Sequence, residues 1–118
     1  MKTKILVFLL LAGVAHAAPK HVLFLGNSFT VHNLTDQDVP QAFSNLVVSA
    51  GYEAPFVLTN CPGGYTLLSH LNDSTSLALI ATGGWDYVVL QEQSMPYGPC
   101  AGIDPTYYSF FWQGASGL

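Results

Sequence analysis

Basic residues are nearly absent from this 118-residue chain, which has three Lys and Arg residues against seven Asp and Glu residues. Only 8% of the residues are charged. Two of the three basic residues, Lys2 and Lys4, lie at the very start, and the third is Lys20. Binding to nucleic acid or to an anionic membrane needs many Lys and Arg side chains to meet phosphate groups. The shortage of positive charge therefore excludes both kinds of partner.

After the first 17 residues, the sequence also lacks an apolar run long enough to span a bilayer. Residues 1–17 have the pattern of a secretory signal peptide: Lys2 and Lys4, an apolar run over 5–15, and then Ala15-His16-Ala17. An uncleaved signal anchor is the alternative. Cleavage after Ala17 predicts a secreted, acidic protein with no membrane contact, of a length that suits one small domain.

Cysteine is scarce too, since Cys61 and Cys100 are the only two. With no CxxC or HxxxH spacing, no metal site is predicted. In an oxidising compartment the two cysteines are a disulfide candidate. The alternatives are two free thiols or pairing with a segment outside this chain. Two sequence triplets, beginning at Asn33 and Asn72, fit N-glycosylation in a eukaryotic secretory pathway.

Three short apolar stretches predict β-strands at 21–25, 56–59 and 87–90. Helical spacing predicts α-helices over 40–50 and 66–81, the second interrupted near 72–74. The first strand is apolar after its first residue, which is typical of a strand buried on both faces. The order β-α-β-α-β with short connections favours a parallel α/β sheet. We expect residues 18–96 to form this unit, and 97–118 to be an irregular Gly-rich and aromatic tail with at most one helical turn.

Polar or Gly-rich clusters follow each of the three predicted strands. They are Gly26-Asn27-Ser28, Cys61-Pro62-Gly63-Gly64 and Gln91-Glu92-Gln93-Ser94. In a parallel sheet the carboxyl ends of the strands meet at one edge, where ligands bind. The sequence therefore predicts that the three clusters converge.

The three clusters contain groups that are suited to acyl transfer. Ser28 offers a hydroxyl on a turn after a buried strand, but a serine needs a base to become a good nucleophile. Gly64 could donate its backbone N–H, and Gln91 or Gln93 could donate a side-chain amide, to an oxyanion. Asn27 and Glu92 are candidate substrate contacts. A tight turn and an ordinary Gly-rich loop are the structural alternative.

Residues 22–30, Val-Leu-Phe-Leu-Gly-Asn-Ser-Phe-Thr, resemble the first sequence block of the SGNH (GDSL-type) hydrolases, in the subgroup with Gly-Asn-Ser. Residues 60–66 resemble the second block, and residues 85–94 are similar to the third-block strand. The family usually has a Gly-x-Asn-Asp turn in the third block, and this chain has no such Asn. The resemblance covers roughly residues 21–96.

The resemblance implies a three-layer α/β/α, flavodoxin-like parallel sheet, of which about three strands are present. It implies that Ser28 is the nucleophile and contributes an oxyanion N–H, that Gly64 is a second oxyanion donor, and that Gln91 or Gln93 replaces the missing Asn. The substrate would be a small-molecule or carbohydrate ester, and no cofactor is implied. The family's base comes from an Asp-x-x-His block, and this chain has no histidine after His70.

The sequence therefore predicts the amino-terminal part of a secreted ester hydrolase that is inactive alone. His70 could act as a substitute base, or could bind a backbone carbonyl, cap a helix turn or face solvent. His32 is the other histidine near Ser28. The alternatives are a non-catalytic secreted remnant or binding protein, and a truncated or wrongly predicted gene product. An open edge of a three-stranded sheet also predicts self-association.

Overall fold

The computed structural model describes residues 18–32, 38–93 and 113–118, and these contain a three-stranded parallel sheet with helices. Strand β1 is His21–Leu25, β2 is Phe56–Asn60 and β3 is Tyr87–Leu90. Helix α1 is Val39–Ser49, α2 is Leu67–Leu71 and α3 is Ser74–Thr82. The predicted α/β class and element order are confirmed.

The strand order is β2-β1-β3, so the first strand in the sequence lies in the middle. Leu25, the last residue of β1, is paired with Asn60 on one side and with Leu90 on the other. All three strands therefore end at the same level, and the residues that follow them meet at one edge of the sheet.

Each helix begins where a side chain caps it. The carboxylate of Asp38 accepts a hydrogen bond from the N–H of Gln41 at 2.9 Å, at the start of α1. Thr66 and Ser69 form a capping box at the start of α2. Asp73 caps α3, which explains why the predicted single helix is interrupted near residues 72–74.

The core is built around β1. Leu23 and Leu25 are fully buried, and Phe24 packs edge-to-face on Phe43 of α1 with ring centroids 6.0 Å apart. Side chains alternate along a strand, so the two leucines point to the face opposite Phe24. The prediction that β1 is buried on both faces is confirmed.

The two outer strands are far more exposed than β1. The four side chains of β3 are 36–58% exposed, and β3 has one neighbouring strand among those described. An apolar groove of about 730 Å³ runs between β3 and α1, lined in part by Phe43 and Val88. Both outer strands have one neighbouring strand among those described, and self-association through such an open edge stays a prediction.

Residues 113–117 form one helical turn, and Gly114 is buried against Leu67 of α2. The predicted signal peptide lies outside the described residues, as does most of the predicted tail. None of the described helices is long and apolar enough to cross a membrane.

Candidate active site

Asn27 joins the three clusters that follow the strands. Its backbone N–H donates to Gln91 Oε1 at 2.9 Å. Its side-chain Nδ2 donates to the carbonyl of Tyr65 at 2.8 Å and to Gln93 Oε1 at 2.6 Å. These partners follow β2 and β3, whereas Asn27 follows β1. The predicted convergence of the clusters is therefore confirmed by direct hydrogen bonds.

Ser28 lies on a tight turn that Asn27 organises. Asn27 Oδ1 accepts from the N–H of Phe29 at 3.0 Å, and the Asn27 carbonyl accepts from Thr30 at 2.9 Å and Val31 at 3.2 Å. Ser28 itself is exposed, and neither its N–H nor its hydroxyl is hydrogen-bonded to a described residue. The turn thus pairs the amides around Ser28 and leaves the Ser28 amide and hydroxyl available.

Gly64 provides a second available amide next to this turn. It is exposed, and its N–H has no hydrogen-bond partner among the residues described. Its φ of 75° is in the left-handed region, which favours glycine. Tyr65, which follows Gly64, is hydrogen-bonded to Asn27, which precedes Ser28. The hydrogen bond between Asn27 and Tyr65 therefore joins the chain neighbours of Ser28 and Gly64, the two predicted oxyanion donors.

The predicted glutamine donors support the turn. Gln91 Oε1 accepts from both the Asn27 N–H and, at 2.8 Å, the Thr30 hydroxyl, while Gln91 Nε2 donates to the Glu92 carbonyl. Gln93 presents its Oε1 to Asn27 Nδ2. Gln91 Nε2 carries a second proton besides the one donated to Glu92, so an oxyanion role for Gln91 stays a prediction. For Gln93 that role stays a prediction.

The two predicted substrate contacts are also part of the framework. Asn27 is fully buried and its amide protons are directed at Tyr65 and Gln93. The carboxylate of Glu92 accepts from the N–H of Gln93 at 2.6 Å and lies 3.3 Å from the N–H of Leu67. Both side chains hold the loops together, and a contact of either with a substrate stays a prediction.

Gly26 is required where β1 passes into the turn. A Cβ at this position would lie 2.7 Å from both Gln91 Oε1 and Thr30 Oγ1. That distance is too short for any carbon, so a side chain here would push the two groups apart. The tight approach lets Gln91 reach the backbone of Asn27.

His70 is fully buried behind the same turn. Its Nε2 lies 2.7 Å from the carbonyl oxygen of Gly26, and its Nδ1 lies 2.7 Å from Ser76 Oγ. Of the roles considered for His70, binding of a backbone carbonyl is the one that the structure shows. With both ring nitrogens engaged, His70 does not act as the base for Ser28 in this arrangement.

His32, the other histidine near Ser28, is exposed and has no hydrogen bond to a described residue. It follows the Ser28 turn directly but does not bond to Ser28. Neither histidine is therefore positioned as a base by a hydrogen bond.

The contact between His70 and Ser76 is part of a larger hydrogen-bond network, which also includes Asp73 and Asn60. The hydroxyl of Ser76 donates to Asp73 Oδ2 at 2.8 Å, and Asn60 Nδ2 donates to the same oxygen at 2.7 Å. The backbone N–H of Ser76, and then its hydroxyl, hold the pKa of Asp73 below its usual range. Asp73 therefore stays ionised and anchors the network.

Cys61 carries a free, half-buried thiol whose Sγ lies 3.8 Å from the carbonyl of Phe24. Burial raises the pKa of this thiol to about 11, so it is protonated and unreactive at neutral pH. Cys100, its proposed disulfide partner, lies outside the described residues. Asn33 does too, whereas Asn72 is exposed at the end of α2, and its glycosylation stays a prediction.

Sequence reasoning did not foresee three members of this site: Thr30, Asn60 and Ser76. Their signal was weak, because each is a common polar residue with no motif of its own. Asn60 and Ser76 could have been found from position alone, since one ends a strand and the other lies in the first turn of a helix that starts nearby.

No group of three or more potential metal-binding side chains occurs among the described residues. No protein-family model, curated protein or solved structure matches this chain.

Proposed function

We propose that this chain carries the nucleophile and the oxyanion-binding half of a secreted serine ester hydrolase of the SGNH type, in a three-layer α/β/α sheet. The observation that carries the proposal is the Ser28 turn. Its neighbouring amides are paired, whereas the Ser28 N–H, the Ser28 hydroxyl and the nearby Gly64 N–H are without partners among the described residues.

These groups fit the first half of an acyl transfer. Ser28 Oγ would attack an ester carbonyl carbon, forming the Oγ–C bond while the hydroxyl proton passes to a base. The carbonyl oxygen would become an oxyanion held by the N–H groups of Ser28 and Gly64. Collapse breaks the bond to the alcohol, which takes up the proton, and water then releases the acid.

Among the described residues, no proton acceptor is hydrogen-bonded to Ser28. His70 is engaged at both nitrogens, and no described histidine is hydrogen-bonded to Ser28. In serine hydrolases, loss of the base leaves only the small rate supplied by binding and the oxyanion site. We therefore expect the 118-residue chain to turn over esters very slowly.

Covalent labelling tests Ser28 without requiring full turnover. The full chain is incubated with a fluorophosphonate probe, and the adduct is located by peptide mass spectrometry. We expect slow labelling confined to Ser28 and abolished in Ser28→Ala. Ser49→Ala serves as the matched control, because Ser49 is an exposed serine at the end of α1. Labelling that is spread over several serines, or unchanged in Ser28→Ala, would overturn the proposal.

A non-catalytic secreted protein that binds ligands at the same edge is the second candidate. It is favoured by one observation, namely that no described histidine is hydrogen-bonded to Ser28. Titration with an acetylated sugar distinguishes the binding protein from the hydrolase. Saturable chemical-shift changes around Gly64 without release of acetate, together with no Ser28 labelling, would favour binding over catalysis.

A further inference from the structure

The peptide group between Gly26 and Asn27 is clamped at both ends. Its carbonyl oxygen lies 2.7 Å from His70 Nε2, and its N–H donates to Gln91 Oε1 at 2.9 Å. One residue, Asn27, separates this peptide group from the Ser28 N–H. The plane of the peptide group sets the direction in which the chain enters the Ser28 turn.

The chemistry of the contact determines which ring nitrogen of His70 donates to Gly26. A carbonyl oxygen can only accept, so Nε2 must carry the proton in this bond. The ring is fully buried, so water cannot replace the bond if it is lost. His70 therefore holds Gly26 in a way that an apolar residue of similar size could not.

The groups that face His70 fix its ring from the other side. Ser76 Oγ lies 2.7 Å from Nδ1 and is itself hydrogen-bonded to the carboxylate of Asp73. The ring of Tyr65 packs edge-on at a centroid distance of 5.1 Å. These contacts come from α3 and the loop after β2, so elements other than the helix that carries His70 fix the orientation of its ring.

We propose that His70 is the positioning residue of the nucleophile turn: through the Gly26 carbonyl it sets the orientation of the Ser28 amide and hydroxyl, without touching the substrate. The reactive role of Ser28 in this statement rests on the proposed function. The clamp on the turn itself rests only on the geometry around Gly26.

Two substitutions separate the two bonds of His70. In His70→Gln the terminal amide nitrogen stands as many bonds from Cβ as Nε2 does, so it can still donate to Gly26. In His70→Asn the amide nitrogen corresponds to Nδ1, so it reaches Ser76 and leaves the Gly26 carbonyl unpaired. Each variant keeps one of the two hydrogen bonds of His70, and the two variants differ in which bond remains.

The first measurement is the rate of fluorophosphonate attachment to Ser28 in the full chain. We expect His70→Gln to keep that rate within about threefold and His70→Asn to lower it about tenfold or more, since small misplacements of reacting groups have large kinetic effects. Equal rates in the two variants, with wild-type labelling intact, would overturn the positioning role and leave the proposed function standing.

The second measurement is independent of Ser28 chemistry. Amide hydrogen exchange at Phe29 and Thr30, relative to Leu23 in β1, reports the order of the turn. We expect faster relative exchange in His70→Asn than in His70→Gln. If Ser28 of the wild-type chain is not labelled, the proposed function fails. The exchange comparison then still tests whether His70 holds the turn through Gly26, and equal exchange in the two variants would overturn that role.

A third measurement covers the case in which neither variant folds. Long-range ¹H–¹⁵N correlation spectra of the wild-type imidazole report which nitrogens carry protons. A protonated Nε2 supports the bond to Gly26, and an unprotonated Nε2 overturns it.

Discussion

The two ends of the three-stranded sheet are fastened in different ways. At the amino end, Lys20 pairs with Asp86 at 2.8 Å, with 54% and 34% of the two side chains exposed, and Phe56 stacks on Trp85. At the carboxyl end, buried Asn27 and His70 hold the loops by hydrogen bonds. The amino end uses contacts that tolerate water, whereas the carboxyl end depends on bonds that water cannot replace.

This difference indicates which end the protein needs to hold in one geometry. Exposed ion pairs contribute little to stability and constrain geometry weakly. Buried polar groups that are fully paired are costly to disturb and specify one arrangement. No buried side-chain polar atom among the described residues lacks a partner. The unpaired groups of Ser28 are exposed, and they follow buried Asn27 directly in the sequence.

The largest effect on stability should come from Asn27→Ala. The substitution removes three side-chain hydrogen bonds and leaves the Tyr65 carbonyl unpaired next to the buried site. We expect a loss of about 3 kcal/mol in the free energy of unfolding, measured by urea denaturation at pH 7. Asn45→Ala is the control, because Asn45 is exposed on α1 and has one exposed hydrogen bond. Similar losses in both variants would show that the buried hydrogen bonds of Asn27 stabilise the fold no more than the exposed hydrogen bond of Asn45.

Gly26→Ala should have the next largest effect. The new Cβ would lie 2.7 Å from Gln91 Oε1 and Thr30 Oγ1, so both groups must move. We expect a loss of about 1–3 kcal/mol, typical of overpacking, in the same unfolding experiment. Gly63→Ala is matched, since a Cβ there meets nothing within 4 Å. If Gly26→Ala were as stable as Gly63→Ala, the tight approach at the end of β1 would be refuted.

Added salt should change the stabilising effect of Asp86, at the amino end of the sheet, more than that of Asp73, at the carboxyl end. The pKa of Asp73 is lowered chiefly by the Ser76 backbone N–H, and that of Asp86 chiefly by its hydrogen bond from Lys20. Because both folded-state pKa values are lowered, each carboxylate stabilises the fold above its unfolded pKa of about 3.9, and this contribution is lost as the pH falls.

We therefore expect the difference in stability between wild type and either Asp73→Asn or Asp86→Asn to shrink from pH 6 towards about pH 3. At pH 6, added NaCl should reduce the difference only for Asp86→Asn, because its partner Lys20 is a screened surface cation. Urea denaturation at low and high salt measures both. Equal salt sensitivity would show that the two ends do not differ in this respect.

Lys20→Met should have the smallest effect. Asp86 raises the pKa of Lys20, so the pair contributes below the unfolded lysine pKa of about 10.4 and is lost as the pH rises through the folded value. Both side chains are solvated, so we expect thermal unfolding at pH 7 to be almost unchanged. A large drop in the melting temperature would contradict the small contribution that we assign to the ion pair at the amino end.

The strands and helices could largely be predicted from local sequence patterns. The apolar run of β1, Asp73 at the start of α3 and the glycines after α3 each carry a local signal that the structure confirms. Convergence of the three clusters followed from topology alone, because parallel strands end at one edge.

The partners within the site could not be predicted. Asn27 was expected to face a substrate, but its burial depends on loops more than thirty residues away in sequence. The two glutamines have an acceptor and a donor each, and the sequence does not say which group faces inward. For His70, only the three-dimensional arrangement could choose between a base and a carbonyl-binding role.

The central position of β1 has a consequence for how the chain folds. Val22 is synthesised early, but its partners in the sheet are Val57 and Tyr87. Pairing between residues so distant in sequence is slow, since long loops must close before any contact forms. During synthesis the central strand therefore lacks its first partner until residue 60 and its second until residue 90, and in that interval the chain is most exposed to aggregation.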